Sequence, residues 1–199
     1  MAATPGFLTT LNGADVVTVS SVGLNVLSLR VHGDRVSPEF ASLEISGGLY
    51  EGDAENKHLI WESDHNLAPG DEIAVTFLEN ASTSRAGKTI EELFPDEKEP
   101  QGPRQPIEQI FQSIAQRSKV RDRFSFLLSP PAGSPVNFKT SPEDYSFGFS
   151  ILWDWTRPEL LRVSLSSNSL DGIAKREGGT DYASFRLRFG ERVIFRVNE

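Results

Sequence analysis

Tyr145-Ser146-Phe147-Gly148-Phe149-Ser150-Ile151-Leu152-Trp153-Asp154-Trp155 carries a large apolar side chain at every odd position, with mostly small or polar residues between them. Side chains alternate faces along a strand, so this spacing predicts a long β-strand with one aromatic face and one thin polar face. A helix would scatter the six large side chains around its axis. The alternation places Trp153 and Trp155 in the core with Phe147 and Phe149, Trp155 nearest the rim.

The same period extends outward in both directions. Upstream, Val17 and Val19, then Leu27, Leu29 and Val31, then Ala41, Leu43 and Ile45 alternate with polar neighbours before Gly47-Gly48 interrupts. Leu59 and Trp61 mark a short strand, and Ile73, Val75 and Phe77 follow a Pro69-Gly70 turn. Phe124 and Phe126 lead into the aromatic stretch; Leu161, Val163, Leu165, then Phe185, Leu187, Phe189, then Val193, Phe195, Val197 follow it. Residues 51–57, 129–135 and 166–180 read as polar loops. Short alternating runs with a turn about every ten residues are the all-β pattern.

Between the halves the pattern changes. Thr89-Ile90-Glu91-Glu92 reads as a capping box, in which Thr hydroxyl and Glu carboxylate satisfy each other's free backbone donors. Pro95 to Pro106 is rich in proline and charge and is expected to run extended. Pro106 then starts an amphipathic helix ending near Arg117, with Ile107, Ile110, Phe111 and Ile114 on one face. The expected fold is mainly β: two small antiparallel β units or one split β-sandwich, with two short helices in the central connection. The divisions are an acidic β unit over 1–88, the connection over 89–120 and a second β unit over 121–199. Gly70–Phe77 and Gly190–Val197 both set a glycine-led turn before the last strand of a half, an echo consistent with a duplicated unit.

The last two runs are expected to pair as a hairpin. A two-residue loop would mix their faces, so the register predicts an odd-length loop or a bulge. Arg186, Arg188 and Arg196 would then share an outer face with Ile194.

Cysteine is absent, which excludes a disulfide framework and a thiol nucleophile. A net charge of −8 argues against a general nucleic-acid binder. The charge is uneven: residues 1–100 hold 17 acids and 6 bases, residues 101–199 hold 11 acids and 14 bases. The first residues lack the basic and apolar regions of a signal peptide, and no run is long enough to span a membrane, so the expected location is the cytoplasm.

No motif carries chemistry. His32, His58 and His65 lack zinc-site spacing. Glu143, Asp144, Asp154 and Glu159 flank the aromatic strand as paired carboxylates do in glycoside-processing sites. Asp53, Glu55 and Asn56 lack calcium-loop spacing. No catalytic residue, metal or cofactor is expected.

His58-Leu59-Ile60-Trp61, followed by Leu67-Ala68-Pro69-Gly70-Asp71-Glu72-Ile73, resembles short bacterial proteins of uncharacterised function. Their chains carry a Trp, a Leu and a Gly-Asp-Glu-Ile-x-Val strand. The resemblance implies an all-β bacterial protein and assigns no catalytic residue.

The expected function is a non-catalytic protein-binding module of the immunity or inhibitor kind, whose partner is another protein or a second copy. The alternatives are a structural component of a larger assembly and a carboxylate-dependent hydrolase. The candidate binding residues are Arg186, Arg188 and Arg196 on the outer β face, and Ile107, Ile110 and Phe111 on the helix.

Overall fold

The computed structural model describes residues 3–50, 56–96 and 105–198. Among these the chain forms β1 (Gly6–Leu11), β2 (Ala14–Ser20), β3 (Val26–Asp34), β4 (Ala41–Leu49), β5 (Lys57–Leu67) and β6 (Glu72–Leu78). The helices α1 (Ile90–Leu93) and α2 (Ile107–Ala115) come next, then β7 (Ser125–Ser129), β8 (Val136–Lys139), β9 (Asp144–Asp154) and β10 (Leu161–Ser169). The helix α3 (Leu170–Lys175), β11 (Thr180–Leu187) and β12 (Arg192–Asn198) complete the chain. The fold is mainly β: one antiparallel sheet runs β2-β1-β6-β12-β7-β8, the other β11-β10-β9-β3-β4-β5.

The aromatic stretch is β9, at the middle of the second sheet. Phe147, Phe149, Ile151 and Trp153 are all at most 3% exposed, as the alternation requires. Phe149 stacks on Phe195 of the first sheet with ring centroids 4.3 Å apart, and Phe147 meets Phe124 edge-on at 4.7 Å. Both sheets contribute to one buried cluster, so the two layers close a single sandwich. Trp155 departs from the expectation. It lies one residue past the end of β9 and is 65% exposed, while Trp153 stays inside and donates its indole N–H to the Pro158 carbonyl at 3.0 Å.

Four local readings change for identifiable reasons. Gly47-Gly48 continues β4 instead of interrupting it, because a Cβ at Gly47 would lie 2.8 Å from Leu27 Cδ2; the glycine lets neighbouring strands approach. β1 escapes the apolar pattern because Thr9 occupies a fully buried position beside Phe7. The polar run after Leu165 is the end of a nine-residue β10 followed by α3, whose N-cap Ser169 accepts the Gly172 N–H. Finally, β11 and β12 do not form a hairpin. β11 is an edge of the second sheet and β12 a central strand of the first, so Arg188 to Glu191 carries the chain between layers.

The central connection divides. The capping box at Thr89 and Glu92 is present in full. The helix α2 forms, but none of its residues is buried, and it packs against α3. The expected loop at 51–57 and the Pro-rich run at 95–106 lie largely outside the described residues.

The topology shows an internal two-fold relation. In each half a hairpin is followed by a three-stranded meander and a strand that returns beside the hairpin, and each half gives three strands to each sheet. The halves meet at β3–β9 and at β6–β12. There Arg30 faces Ser150 and Ala74 faces Ile194, both pairs being residues 120 positions apart. The same spacing relates Leu67 to Leu187, both buried, and Gly70 to Gly190, both at positive φ. Gly70 N–H donates to the Val197 carbonyl, and Gly190 N–H to the Phe77 carbonyl, each at 2.8 Å. Asp34-Arg35-Val36-Ser37-Pro38-Glu39 repeats as Asp154-Trp155-Thr156-Arg157-Pro158-Glu159. Each Asp accepts the N–H two residues on, Val36 at 2.8 Å and Thr156 at 3.0 Å.

Candidate functional site

The outer face of the second sheet is a polar trough. The even-numbered residues of β3, β4, β10 and, from Ser146 onward, β9 point away from the core, and serine is the commonest of them. Ser150 Oγ and Ser164 Oγ lie 2.8 Å apart across β9–β10, and Ser28 Oγ and Ser46 Oγ 3.0 Å apart across β3–β4. Gly148 sits on the floor with open space above it. Six strands at ladder spacing make the face about 24 Å wide.

Three open hollows run into one another along this face. The first, of about 670 Å³, is lined by Ser150, Leu152, Leu160, Arg162, Ser164, Ser184, Arg186 and Arg188 among others. The second, of about 630 Å³, shares Ser150 with it and extends over Arg30, Glu44, Tyr145 and Gly148. The third, of about 460 Å³, shares His32, Gly33 and Asp34 with the second and ends at Glu39, Asp64 and Asn66.

The two ends are counterparts under the internal two-fold, yet their charges are opposite. Arg162 faces Arg186 across β10–β11, and Ser42 faces Asn66 at the matching place on β4–β5. The spacing that relates Arg162 to Ser42 and Arg186 to Asn66 also relates Ser164 to Glu44 and Ser184 to Asp64. One end therefore presents arginines over serines, the other carboxylates over small polar residues. No match is found among protein-family models, curated proteins or solved structures.

At the basic end, Arg162 Nη2 donates to Asp154 Oδ2 at 2.9 Å. Asp154 is held below the usual carboxylate range, chiefly by the Thr156 hydroxyl, with Arg162 and Arg157 adding to the effect. Glu191 accepts the backbone N–H of Arg188 at 2.7 Å. Among the described residues no carboxylate lies within ion-pair distance of the Arg186 or Arg188 guanidinium. In the middle of the trough, burial beside Asp34 pushes the Tyr145 phenol up.

The residues expected to bind a partner separate. Arg186 and Arg188 line the basic end, but Arg196 lies in the first sheet and pairs with Glu72 at 2.5 Å, because β12 crosses to the other layer. Ile107 and Ile110 are exposed on α2, Phe111 is half-buried, and none of the three lines the trough. Ile173 of α3 adds a further exposed apolar side chain to that helix pair.

Asp144 and Asp154 do not converge. Asp144 and Asp154 occupy opposite ends of β9, about 33 Å apart at the rise of a strand. Asp144 is 7% exposed, and its Oδ2 accepts from Ser141 N–H at 2.8 Å and Ser167 Oγ at 2.7 Å. Each histidine has a separate local partner: His32 beside Ser42, His58 on the Tyr50 hydroxyl at 2.6 Å, His65 on Glu62 at 3.4 Å. Arg162, Asp64 and the serine floor were not among the expected binding residues. Extending the Asp-x-x-x-Pro-Glu repeat as a register would have brought them together.

Proposed function

We propose that this chain is a non-catalytic binding protein that sequesters a protein partner across the trough, in the manner of an immunity or inhibitor protein of the bacterial cytoplasm. The observation that carries this reading is the division of one continuous polar surface into a basic end at Arg162, Arg186 and Arg188 and an acidic end at Asp34, Glu39 and Asp64. A shallow face about 24 Å wide suits a macromolecular surface better than an enclosed small molecule. Charges of opposite sign at its two ends fix the orientation of a bound partner and repel one docked the wrong way round.

A second reading, as a component of a larger assembly, is favoured by the exposed Ile107, Ile110 and Ile173 of α2 and α3. Capture from the native host's lysate separates the two. Expected is one stoichiometric partner that is retained by the Ile107→Asp variant and lost by the double variant Arg186→Glu, Arg188→Glu. Loss on Ile107→Asp alone would transfer the binding surface to the helices. Retention by both variants would reject the trough.

A further inference from the structure

We infer that the basic end of the trough is a binding site for a doubly charged tetrahedral oxyanion, of which a phosphate monoester is the chemical type. Arg162 and Arg186 are directly opposite on antiparallel strands, where like charges repel unless something lies between them. Arg188 lines the same hollow. Among the described residues the three guanidinia pair with one carboxylate, Asp154 on Arg162, so two positive charges remain there. A phosphate monoester carries about −1.5 to −2 at neutral pH and matches that residue of charge.

The donors also match its shape. Guanidinium forks present paired N–H groups to oxyanions, and a tetrahedral group can engage several forks at once where a planar carboxylate engages one. Ser164 and Ser184, facing each other across β10–β11, supply hydroxyls to the floor beneath. Leu152 and Leu160 close the other side with apolar surface, which reduces screening. The matching place in the first half has Ser42 and Asn66 for the two facing arginines and carboxylates for the two serines, so it cannot hold the same ligand.

The inference deepens the binding reading at one end of the trough. The group could be borne by a partner's side chain or be free phosphate, and the chemistry is shared. The test is a two-dimensional NMR titration with inorganic phosphate against chloride at matched ionic strength. It follows the backbone amides of Arg162, Ser164, Ser184, Arg186 and Arg188 and the arginine Nε–H signals. Saturable shifts confined to this set are expected, weakened at least tenfold in the double variant Arg186→Gln, Arg188→Gln and unchanged in Arg192→Gln on the other sheet. A phosphoserine peptide and its unphosphorylated form make the second arm. Tighter binding of the phosphopeptide than of phosphate assigns the group to a partner side chain; the reverse assigns it to the free ion. Shifts that do not saturate, that persist in the double variant, or that an unphosphorylated acidic peptide reproduces overturn the inference. If phosphate fails here while partner capture still depends on Arg186 and Arg188, the inference falls and the binding function stands.

Discussion

Arg162 and Arg186 stand opposite each other across the β10–β11 ladder, and among the described residues Asp154, on Arg162, is the one carboxylate paired with either. Like charges at such a place weaken a sheet, so the pair is held at a cost to stability. Arg186→Thr is expected to raise unfolding stability by about 0.2–1 kcal/mol. The gain should be greatest at low ionic strength, where screening is weakest. Urea unfolding at two salt concentrations measures it. A loss of stability at low salt would mean that the two guanidinia do not repel.

Two glycines should respond oppositely to the same change. A Cβ at Gly148 meets nothing, so Gly148→Ala should alter stability by no more than about 0.5 kcal/mol. A Cβ at Gly6 would overlap the Val19 carbonyl and Ala81, so Gly6→Ala should cost about 1–3 kcal/mol. Equal effects in denaturant unfolding would contradict the packing described for β1 and the open floor of the trough.

These cases show what the chain displays locally and what it does not. The β9 face was legible because Phe147, Phe149, Ile151 and Trp153 obey a period of two and all enter the core. Thr9 hid β1 because a polar residue fills a core position there. The loss of the β11–β12 hairpin is a different failure. Phe185, Leu187, Val193 and Phe195 have the right period for either answer, and alternation says which face is buried but not which layer a strand joins. Alternation therefore marks Arg186 and Arg188 as outward residues and groups them with Arg196, whereas their actual neighbour is Arg162. The trough is assembled across strands far apart in sequence, so no local motif spells it.

Asp154 should make stability depend on acid pH. Its carboxyl titrates below its unfolded value, so its contribution is present above the unfolded value and is lost as pH falls through the folded one. Thr156→Val removes the leading cause and should raise the Asp154 pKa. Carboxyl-carbon NMR titration reads it directly. An unchanged titration would leave the Thr156 backbone N–H, with Arg162 and Arg157, as the cause.

The buried Asp144 depends on Ser167, whose hydroxyl donates at 2.7 Å and is itself 2.9 Å from the Tyr182 hydroxyl. Ser167→Ala should cost about 1–3 kcal/mol by leaving a buried acceptor short of a donor. Tyr182→Phe should cost less, because the tyrosine reaches Asp144 only at 3.4 Å. Chemical unfolding of both variants tests the order; a larger loss in Tyr182→Phe would reverse the assignment.

Each half supplies half of each sheet, and β3 and β6 take β9 and β12 as partners. Fragments 1–100 and 101–199 are expected to lack cooperative folds when separate and to acquire one when mixed. Circular dichroism and size measurements of each fragment and of the mixture decide this. A folded monomer from either fragment alone would show that the halves close independent cores.

The two-fold relation also bears on how such a surface can acquire a direction. Two identical subunits arranged this way must carry the same residues at both ends of their shared face, since every substitution is made twice. Joined in one chain, the copies mutate independently, so arginines can accumulate at one end and carboxylates at the other. Covalent linkage turns a face that reads the same from either end into one with a head and a tail.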